Sequence, residues 1–384
     1  MALEGGSAGG SAGGSAGGSA GGSAGGSAGG FVLGDSYATP LMADALVRNR
    51  AAVIDLEETA PVWRLAQPKI GDAKQIDRWD AWVRAAVALQ ELTAPLRFYR
   101  VMDDGEAVGL AVEAMADPQA SSPAWSPLAT LVRPEQRVFE GQLEKVLAWA
   151  ELREERIAEV LTQIDNQYAL WGTLIPVHTP RMARTLELLD LAVQMAVCVE
   201  MRFKHEFACW RPVDLCAQVQ PMITTPGHGA LPSGHATQSH VVAQVMKGLL
   251  DCEPGTASGD SFNTQLDRIA ARISTNRVIA GLHFPVDNVA GRLLGTTLGE
   301  YFVSRCAGGS WTPRDFDGRL YPAHADFVPV RQPLGGGSEA PFYAQRKPVD
   351  GMKSDLLAHL WERAREECQR HAPRIVIDNA GAAD

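Results

Sequence analysis

The chain has 384 residues, of which 46% are hydrophobic and 21% are charged, and its formal net charge is −10. This is ordinary globular composition, and the negative charge would repel nucleic acid, which is therefore excluded as an expected partner. Any site for an anion must then be built from locally clustered Lys and Arg side chains.

Residues 1–30 are dominated by the repeated tetrapeptide Gly-Gly-Ser-Ala. Such a segment has almost no apolar surface to bury, so it is predicted to be a disordered linker of engineered or low-complexity origin. Residues 31–384 are predicted to form a single domain. The six cysteines are scattered, and no signal peptide precedes them, so reduced thiols and a cytoplasmic location are expected.

Helical periodicity dominates the remainder of the chain. The first strand signal is a possible hairpin around Asp104-Gly105, between Phe98 and Val112. Apolar residues recur at helical spacing elsewhere, and the segments predicted as helices are Gln75 to Glu91, Pro134 to Tyr168, Thr179 to Lys204, Ala236 to Leu250, Thr264 to Ala280, Pro285 to Val303 and Ser354 to His371.

The helix from Thr179 to Lys204 is apolar on most of its faces, and Pro180 suits its first turn. Its most apolar part, Leu186 to Val199, contains two acidic residues and is shorter than the ~20 residues that a membrane span needs. No membrane span is therefore predicted, and this segment is expected to be a buried helix in the middle of a bundle.

Residues 307–352 contain six prolines and three consecutive glycines, which favours an extended loop that wraps the bundle. A C-terminal helix at residues 354–371 follows this loop. Because strand signals are few, the predicted fold class is all-α. The sequence predicts no particular oligomeric state.

Three segments concentrate residues that bind anions. In the first, Lys204 and Arg211 are seven residues apart and Pro212 follows. This spacing would place both cations on one helix face, two turns apart, where they could converge on one ligand before Pro212 helps to end the helix. The alternative is a pair of surface cations with their charged ends in solvent.

The second segment is Pro232-Ser233-Gly234-His235, which opens a predicted helix. A helix N-terminus offers unpaired N–H groups, Ser233 adds a hydroxyl, and Gly234 allows an anion to approach the backbone closely. Ser and Gly are also common at helix starts without any ligand, so the pattern fits a simple cap as well.

In the third segment, Arg277 continues an apolar helical stripe that includes Leu266, so the guanidinium is expected to point toward the core. A buried cation needs a counter-anion. His283 follows near the helix end, and Asp287 lies in the first turn after Pro285, close enough to orient the imidazole by a hydrogen bond. The alternative for each histidine of the motifs is a core or loop residue without a catalytic role.

Together these segments resemble the signature of the superfamily shared by vanadium-dependent haloperoxidases and type 2 phosphatidic-acid-type acid phosphatases. That signature is Lys, six residues, Arg-Pro; then Pro-Ser-Gly-His; then Ser-Arg, five residues, His, three residues, Asp. Every element matches except that Asn276 stands where the family usually has Ser. The resemblance spans residues 180–305 and implies an all-α helical bundle of this superfamily's type, with one pocket for vanadate or phosphate.

The resemblance also implies roles for individual residues. Three cations would neutralise the oxygens of the anion, and a hydroxyl and an amide would complete the cradle; these are Lys204, Arg211, Arg277, Ser233 and the Gly234 amide. His283 would bind vanadium directly or, in a phosphatase, attack phosphorus. Asp287 would hold the tautomer of His283, and His235 would act as acid or base.

The motifs do not separate peroxidase from phosphatase chemistry cleanly. The run His205-Glu-Phe-Ala-Cys-Trp-Arg211-Pro212 resembles haloperoxidases. The segment from His283 to Gly291 resembles both branches and is slightly closer to phosphatases. The favoured hypothesis is an enzyme that oxidises halide with hydrogen peroxide at a His-bound vanadate and halogenates an organic acceptor. The alternatives are an acid phosphatase that hydrolyses phosphomonoesters through a phosphohistidine, and a non-catalytic oxyanion-binding protein.

His228 lies seven residues before His235. In the resembling family this position is implied to face the halide, with Phe in chloroperoxidases and His in bromoperoxidases, so bromide is the expected halide. The alternative is that His228, between Gly227 and Gly229, lies on a loop that faces solvent.

Overall fold

The computed structural model describes residues 40–54, 65–102, 104–113, 124–164, 167–177, 180–250 and 257–371, and the predicted linker lies outside these described residues. The α-helices are α1 (Pro40–Val53), α2 (Ala81–Thr93), α3 (Gln136–Trp149), α4 (Arg153–Thr162), α5 (Tyr168–Trp171), α6 (Ala183–Phe207), α7 (Pro212–Leu215), α8 (Gly234–Leu249), α9 (Ala257–Ile279), α10 (Pro285–Ala307) and α11 (Asp355–His371).

A five-stranded mixed sheet accompanies the helices. The strands are β1 (Leu96–Arg100), β2 (Ala107–Glu113), β3 (Trp125–Val132), β4 (Ser310–Trp311), β5 (Arg314–Asp317), β6 (Tyr343–Gln345) and β7 (Val349–Asp350). The sheet order is β1-β2-β3-β5-β6, in which only β3 and β5 are parallel, and β4 pairs separately with β7. The prediction of a purely all-α fold is therefore wrong, although a helical bundle forms most of the described chain.

The hairpin of β1 and β2 confirms the prediction made from Asp104-Gly105, and Leu96 pairs with Val112 at its open end. The region 307–352 was predicted as an extended loop, but it contributes β5 and β6 to the sheet. β2 is buried along most of its length because β1 and β3 flank it and helices cover the sheet.

Two predicted helices are interrupted. The segment from Gln75 to Glu91 divides into a 3-10 helix (Ala73–Arg78) and α2, which begins after the extended residue Asp80. The segment from Pro134 to Tyr168 divides into α3, a 3-10 turn at Ala150–Leu152, α4 and the short α5. After this interruption α4 packs on α9.

The long helix α6 lies in the core, as predicted. Seven apolar side chains between Leu186 and Val199 are buried, namely Leu188, Leu189, Leu191, Ala192, Met195, Ala196 and Val199. The helix begins at Ala183, so Pro180 precedes its first turn rather than occupying it. Among the helices that the structure describes, none is long and apolar enough to cross a membrane.

Three glycines at four-residue spacing bring α10 against α8. A Cβ atom at Gly291 would lie 2.7 Å from the carbonyl oxygen of Ser233, and Gly295 and Gly299 contact Thr237 and Gln244 just as closely. Any larger residue at these positions would push the helices apart. The contact fixes the start of α8 relative to the start of α10, where the motif residues lie.

Candidate functional site

The three motif segments meet at one buried place in the bundle. The end of α6, the loop before α8, the end of α9 and the start of α10 bring together charged and polar side chains that are at most 6% exposed: Lys204, Arg211, Ser233, His235, Arg277, His283 and Asp287. Burial of so many polar groups is costly unless they are paired or serve a ligand.

Lys204 and Arg211 do not lie on one helix. α6 ends at Phe207, Ala208 takes a left-handed conformation with φ of 49°, and Arg211 is an extended residue before Pro212, which begins α7. The predicted placement on one helix face, with Pro212 ending that helix, is therefore wrong. Both residues are only 2% exposed, which also contradicts the alternative of surface cations.

The two cations converge nevertheless, because the chain turns back on itself. Nζ of Lys204 donates to the carbonyl oxygen of Gly229 at 3.2 Å, and Nη2 of Arg211 donates to the same oxygen at 3.3 Å. Lys204 also donates to the carbonyls of Ala230 and Pro232. Its three hydrogens thus fix the loop that leads into α8. Burial, followed by the nearby charge of Arg211, lowers the pKa of Lys204.

Arg211 fixes the tautomer of His283. Nη1 of Arg211 lies 3.0 Å from Nε2 of His283, and a guanidinium can only donate, so Nε2 is the acceptor. The proton of the neutral imidazole is therefore on Nδ1, which lies 3.0 Å from Oδ2 of Asp287. Burial, and then the charge of Arg211, hold the pKa of His283 well below its usual range. His283 consequently presents a lone pair at Nε2.

Asp287 links the starts of α8 and α10, and the predicted orientation of His283 by Asp287 matches this geometry. Its Oδ2 atom accepts from the amide of Phe284 at 2.9 Å, and its carbonyl accepts from the amide of Ser233 at 2.9 Å. Burial raises the pKa of Asp287, while the Phe284 amide and Lys204 act in the opposite direction. The hydrogen bonds from Nδ1 and the amide favour the ionised carboxylate.

α8 begins at Gly234, with Ser233 as the preceding cap residue, as the motif predicted. The Ser233 hydroxyl is buried and has no hydrogen-bond partner among the described residues. Nε2 of His235 donates to the carbonyl of Gln163 at 2.8 Å, so its acceptor nitrogen is Nδ1. Burial, and then the charge of Arg277, hold the pKa of His235 well below its usual range.

Arg277 is completely buried, as its place in the apolar stripe predicted. Nη2 donates to the side-chain oxygen of Gln163 at 2.7 Å and to the carbonyl of Val160 at 3.3 Å. Nε and Nη1 have no partner in the described part of the chain. Burial lowers the pKa of Arg277 to about 9.

His228 lies against Arg211 rather than in solvent. It is half-buried, and its Nδ1 atom is 3.2 Å from Nη2 of Arg211. Nε2 is buried and unpartnered among the described residues. Burial, and then the charges of Lys204 and Arg211, lower the pKa of His228 to about 4, so the imidazole is neutral near pH 7.

Two further residues of the site were missed in the sequence. Gln163, just after α4, binds Arg277 and Asn276 through its side chain and His235 through its carbonyl. Glu200 is an acidic residue in the apolar helix α6, one turn before Lys204, and it is completely buried. The burial of Glu200 had a sequence signal, since its neighbours along α6 are apolar; the position of Gln163 depends on the turn that follows α4.

The unpartnered groups fit a tetrahedral oxyanion. Two donors of Arg277 and the Ser233 hydroxyl are buried without partners, and the N-terminal amides of α8 begin beside them. No cluster of three or more His, Cys, Asp or Glu side chains in the described ranges could chelate a metal ion. Vanadate held by one histidine and several cations does not require such a cluster.

Comparison with known proteins gives a coarse link to the same superfamily. No family model matches the chain. A vanadium-dependent bromoperoxidase from Ascophyllum nodosum is 30% identical over an alignment of 94 residues, and the match covers 19% of this chain and 17% of that protein. Because the match spans so little of the bromoperoxidase, it supports a relationship to haloperoxidases and the related phosphatases without showing the reaction.

Proposed function

We propose that this protein is a vanadate-dependent haloperoxidase that oxidises halide, bromide in preference, with hydrogen peroxide. The observation that carries this proposal is the arrangement of Asp287, His283 and Arg211, which leaves a lone pair on Nε2 beside a guanidinium. The similarity to a bromoperoxidase supports the choice among the reactions that such a site can perform.

His283 would be the one side chain that binds vanadium. Oδ2 of Asp287 accepts a hydrogen bond from Nδ1–H of His283. This bond keeps Nε2 unprotonated and makes it a stronger ligand. Because burial and Arg211 hold the pKa of His283 low, Nε2 stays unprotonated throughout the neutral range. Its lone pair accepts from Nη1 of Arg211, so Arg211 would have to turn this donor to an oxygen of the anion when vanadium binds. Bound vanadate would supply a Lewis acid that activates hydrogen peroxide toward halide.

The cations and the helix start would hold the oxygens of the anion. Arg277 offers Nε and Nη1, Ser233 offers its hydroxyl, and Arg211 adds a charge beside His283. Lys204 contributes charge while its hydrogens hold the loop at residues 229–232. The unpartnered donors of Arg277 and Ser233 are buried and already in place, so they could bind a negatively charged ligand without first breaking hydrogen bonds within the protein.

His235 would move a proton at Nδ1. Its Nε2–H is engaged by the carbonyl of Gln163, which fixes the ring and leaves Nδ1 able to accept. The imidazole is neutral near pH 7 because burial and Arg277 lower its pKa. A neutral, oriented imidazole beside the anion pocket is suited to general base and then general acid catalysis.

An acid phosphatase is the second candidate, because the same Nε2 lone pair could attack phosphorus and the same unpartnered donors would bind phosphate. Two assays on phosphate-free protein separate the candidates. One contains orthovanadate, hydrogen peroxide and bromide, and the other contains a phosphomonoester without vanadate. Brominating activity alone supports the proposal, hydrolysis alone supports the phosphatase, and oxyanion binding without either activity identifies a non-catalytic oxyanion-binding protein.

A further inference from the structure

A buried carboxyl group lies behind the proposed oxyanion site. Glu200 is 0% exposed, and its Oε1 atom accepts from Nε2 of Gln238 on α8 at 2.8 Å. Oε2 is buried and has no partner among the described residues. An ionised carboxylate with one such oxygen costs far more free energy to bury than a protonated carboxyl does.

The Glu200 carboxyl touches the helix start that would hold the anion. A Cβ atom on Gly234, the first residue of α8, would lie only 2.7 Å from Oε1 of Glu200. The amides at this helix start are the ones expected to face an oxyanion. Negative charge in the cradle and negative charge on Glu200 would therefore repel each other across one residue.

Resting on the oxyanion site proposed above, we propose that Glu200 takes up a proton when a tetrahedral oxyanion binds. A bound anion then faces a neutral carboxyl, and the pH range over which the pocket holds its ligand depends on Glu200. Glu200 is thus a positioning residue that acts on the ligand through charge and contacts no reacting atom.

The surroundings of Glu200 set the sign of the effect. Burial raises the pKa of Glu200 to about 7, and the charge of Lys204 acts in the opposite direction. From α8 the carboxyl faces the Gly234 backbone and the neutral Gln238 amide. A bound anion disfavours the ionised form of Glu200 further, so Glu200 takes up a proton when the anion binds. The affinity of the pocket for the anion therefore falls as the pH rises above neutral.

Isothermal titration calorimetry with sodium tungstate tests this inference without requiring turnover. Tungstate is a tetrahedral dianion in mildly alkaline solution, so the ligand itself does not account for the protons that are measured. Titrations at about pH 7.5 in two buffers of different ionisation enthalpy give the number of protons taken up per anion. Wild type is expected to take up protons, and Glu200→Gln is expected to bind tungstate with an uptake smaller by about half a proton.

Glu206→Gln is the matched control, because this carboxylate is on the same helix and its hydrogen bond with Arg100 lowers its pKa. It stays ionised over this range, so the variant should retain the wild-type uptake. If Glu200→Gln binds tungstate with the wild-type uptake, the proton goes elsewhere and the inference is wrong. If wild type binds no tungstate, the oxyanion pocket itself fails, and with it both proposals.

A second measurement requires no variant. The infrared difference spectrum of wild type with and without tungstate should gain the C=O band of a protonated carboxylic acid. A tungstate-saturated protein whose spectrum lacks this band overturns the role of Glu200, even if the Glu200→Gln variant does not fold.

Discussion

Nη2 of Arg277 donates to the side-chain oxygen of Gln163 at 2.7 Å, so a neutral amide stands where a buried guanidinium would ordinarily meet a carboxylate. Two other nitrogens of Arg277 have no partner among the described residues. The positive charge is therefore incompletely compensated, and a bound oxyanion would compensate it. Stability and anion binding should consequently be linked through Arg277.

Replacement of Arg277 by Met should separate these two effects. Without anion, the free energy of unfolding should be unchanged or higher by about 1 to 4 kcal/mol, because a buried charge is removed. At a vanadate concentration about 100 times Kd, the free energy of unfolding of wild type should rise by about 2.7 kcal/mol. That of Arg277→Met should rise far less. Urea unfolding with and without vanadate measures both quantities.

Arg305→Met is the control for that experiment. Arg305 is also buried, but it binds Glu91 and the carbonyl of Met352 away from the motif residues. This variant should keep the wild-type response to vanadate. Equal vanadate responses in Arg277→Met and wild type would place Arg277 outside the pocket.

Asp287→Asn should remove the negative charge that supports the Nδ1–H tautomer of His283. Oδ2 of Asp287 accepts from both the Phe284 amide and Nδ1 of His283, so an asparagine with its oxygen at this position keeps both hydrogen bonds but leaves Nε2 a weaker ligand. We expect turnover to fall by about 10 to 100-fold while the fold is retained. Steady-state kinetics together with ¹⁵N NMR of the His283 ring nitrogens checks both statements.

The control is Asp317→Asn, since Asp317 also accepts from a backbone amide, that of Arg319, at the start of a 3-10 helix remote in sequence from the motifs. It should retain wild-type turnover. A turnover of Asp287→Asn within about twofold of wild type would mean that the tautomer is fixed by Arg211 alone.

His228→Phe should change halide selectivity. Because burial and the neighbouring cations lower the pKa of His228 to about 4, its imidazole is neutral near pH 7 and gains a proton only as the pH approaches about 4. The bromide-to-chloride ratio of wild type should be constant from about pH 7 to about pH 5 and change at lower pH. The phenylalanine variant should show a different ratio without that acid change. Identical ratios and pH profiles would remove His228 from the halide side.

Phosphate and vanadate should exclude each other, since a single set of donors at Arg277, Ser233 and the start of α8 serves both. Added phosphate should raise the vanadate concentration needed for half-maximal bromide oxidation without lowering the rate at saturation. Initial rates over a grid of both anions test this. Inhibition that persists at saturating vanadate would indicate two separate sites.

The sequence predicted features that are encoded locally. Helical periodicity predicted the burial of Arg277, and the Asp104-Gly105 turn predicted the hairpin of β1 and β2. Prediction from the sequence failed where the structure depends on pairing between distant segments or on turns that lack a characteristic residue. β3 pairs with β5, far along the chain, and α6 ends at an alanine in the left-handed conformation, Ala208, where a glycine would have been a visible signal.

The candidate site likewise contains residues that local motifs predict and residues that only the folded structure brings there. The motif spacings identified seven of the buried polar residues, but Gln163 and Glu200 belong to the site through contacts between helices that no local pattern reports. The spacing of Gly291, Gly295 and Gly299 was visible in the sequence and would have predicted the close approach of α8 and α10. That approach places the Ser233 amide on the Asp287 carbonyl.

The proposed role of His283 is to bind a vanadate that catalyses bromide oxidation, and a comparison of wild type with a variant lacking the imidazole tests this role. Phosphate-free wild type and His283→Ala are assayed for bromide oxidation with hydrogen peroxide while orthovanadate is increased. We predict a wild-type rate that rises with vanadate to saturation, and no vanadate-dependent rate in His283→Ala, because Nε2 is lost. A vanadate-dependent rate of wild-type size in His283→Ala, or no bromide oxidation by wild type at any vanadate concentration, would contradict this role.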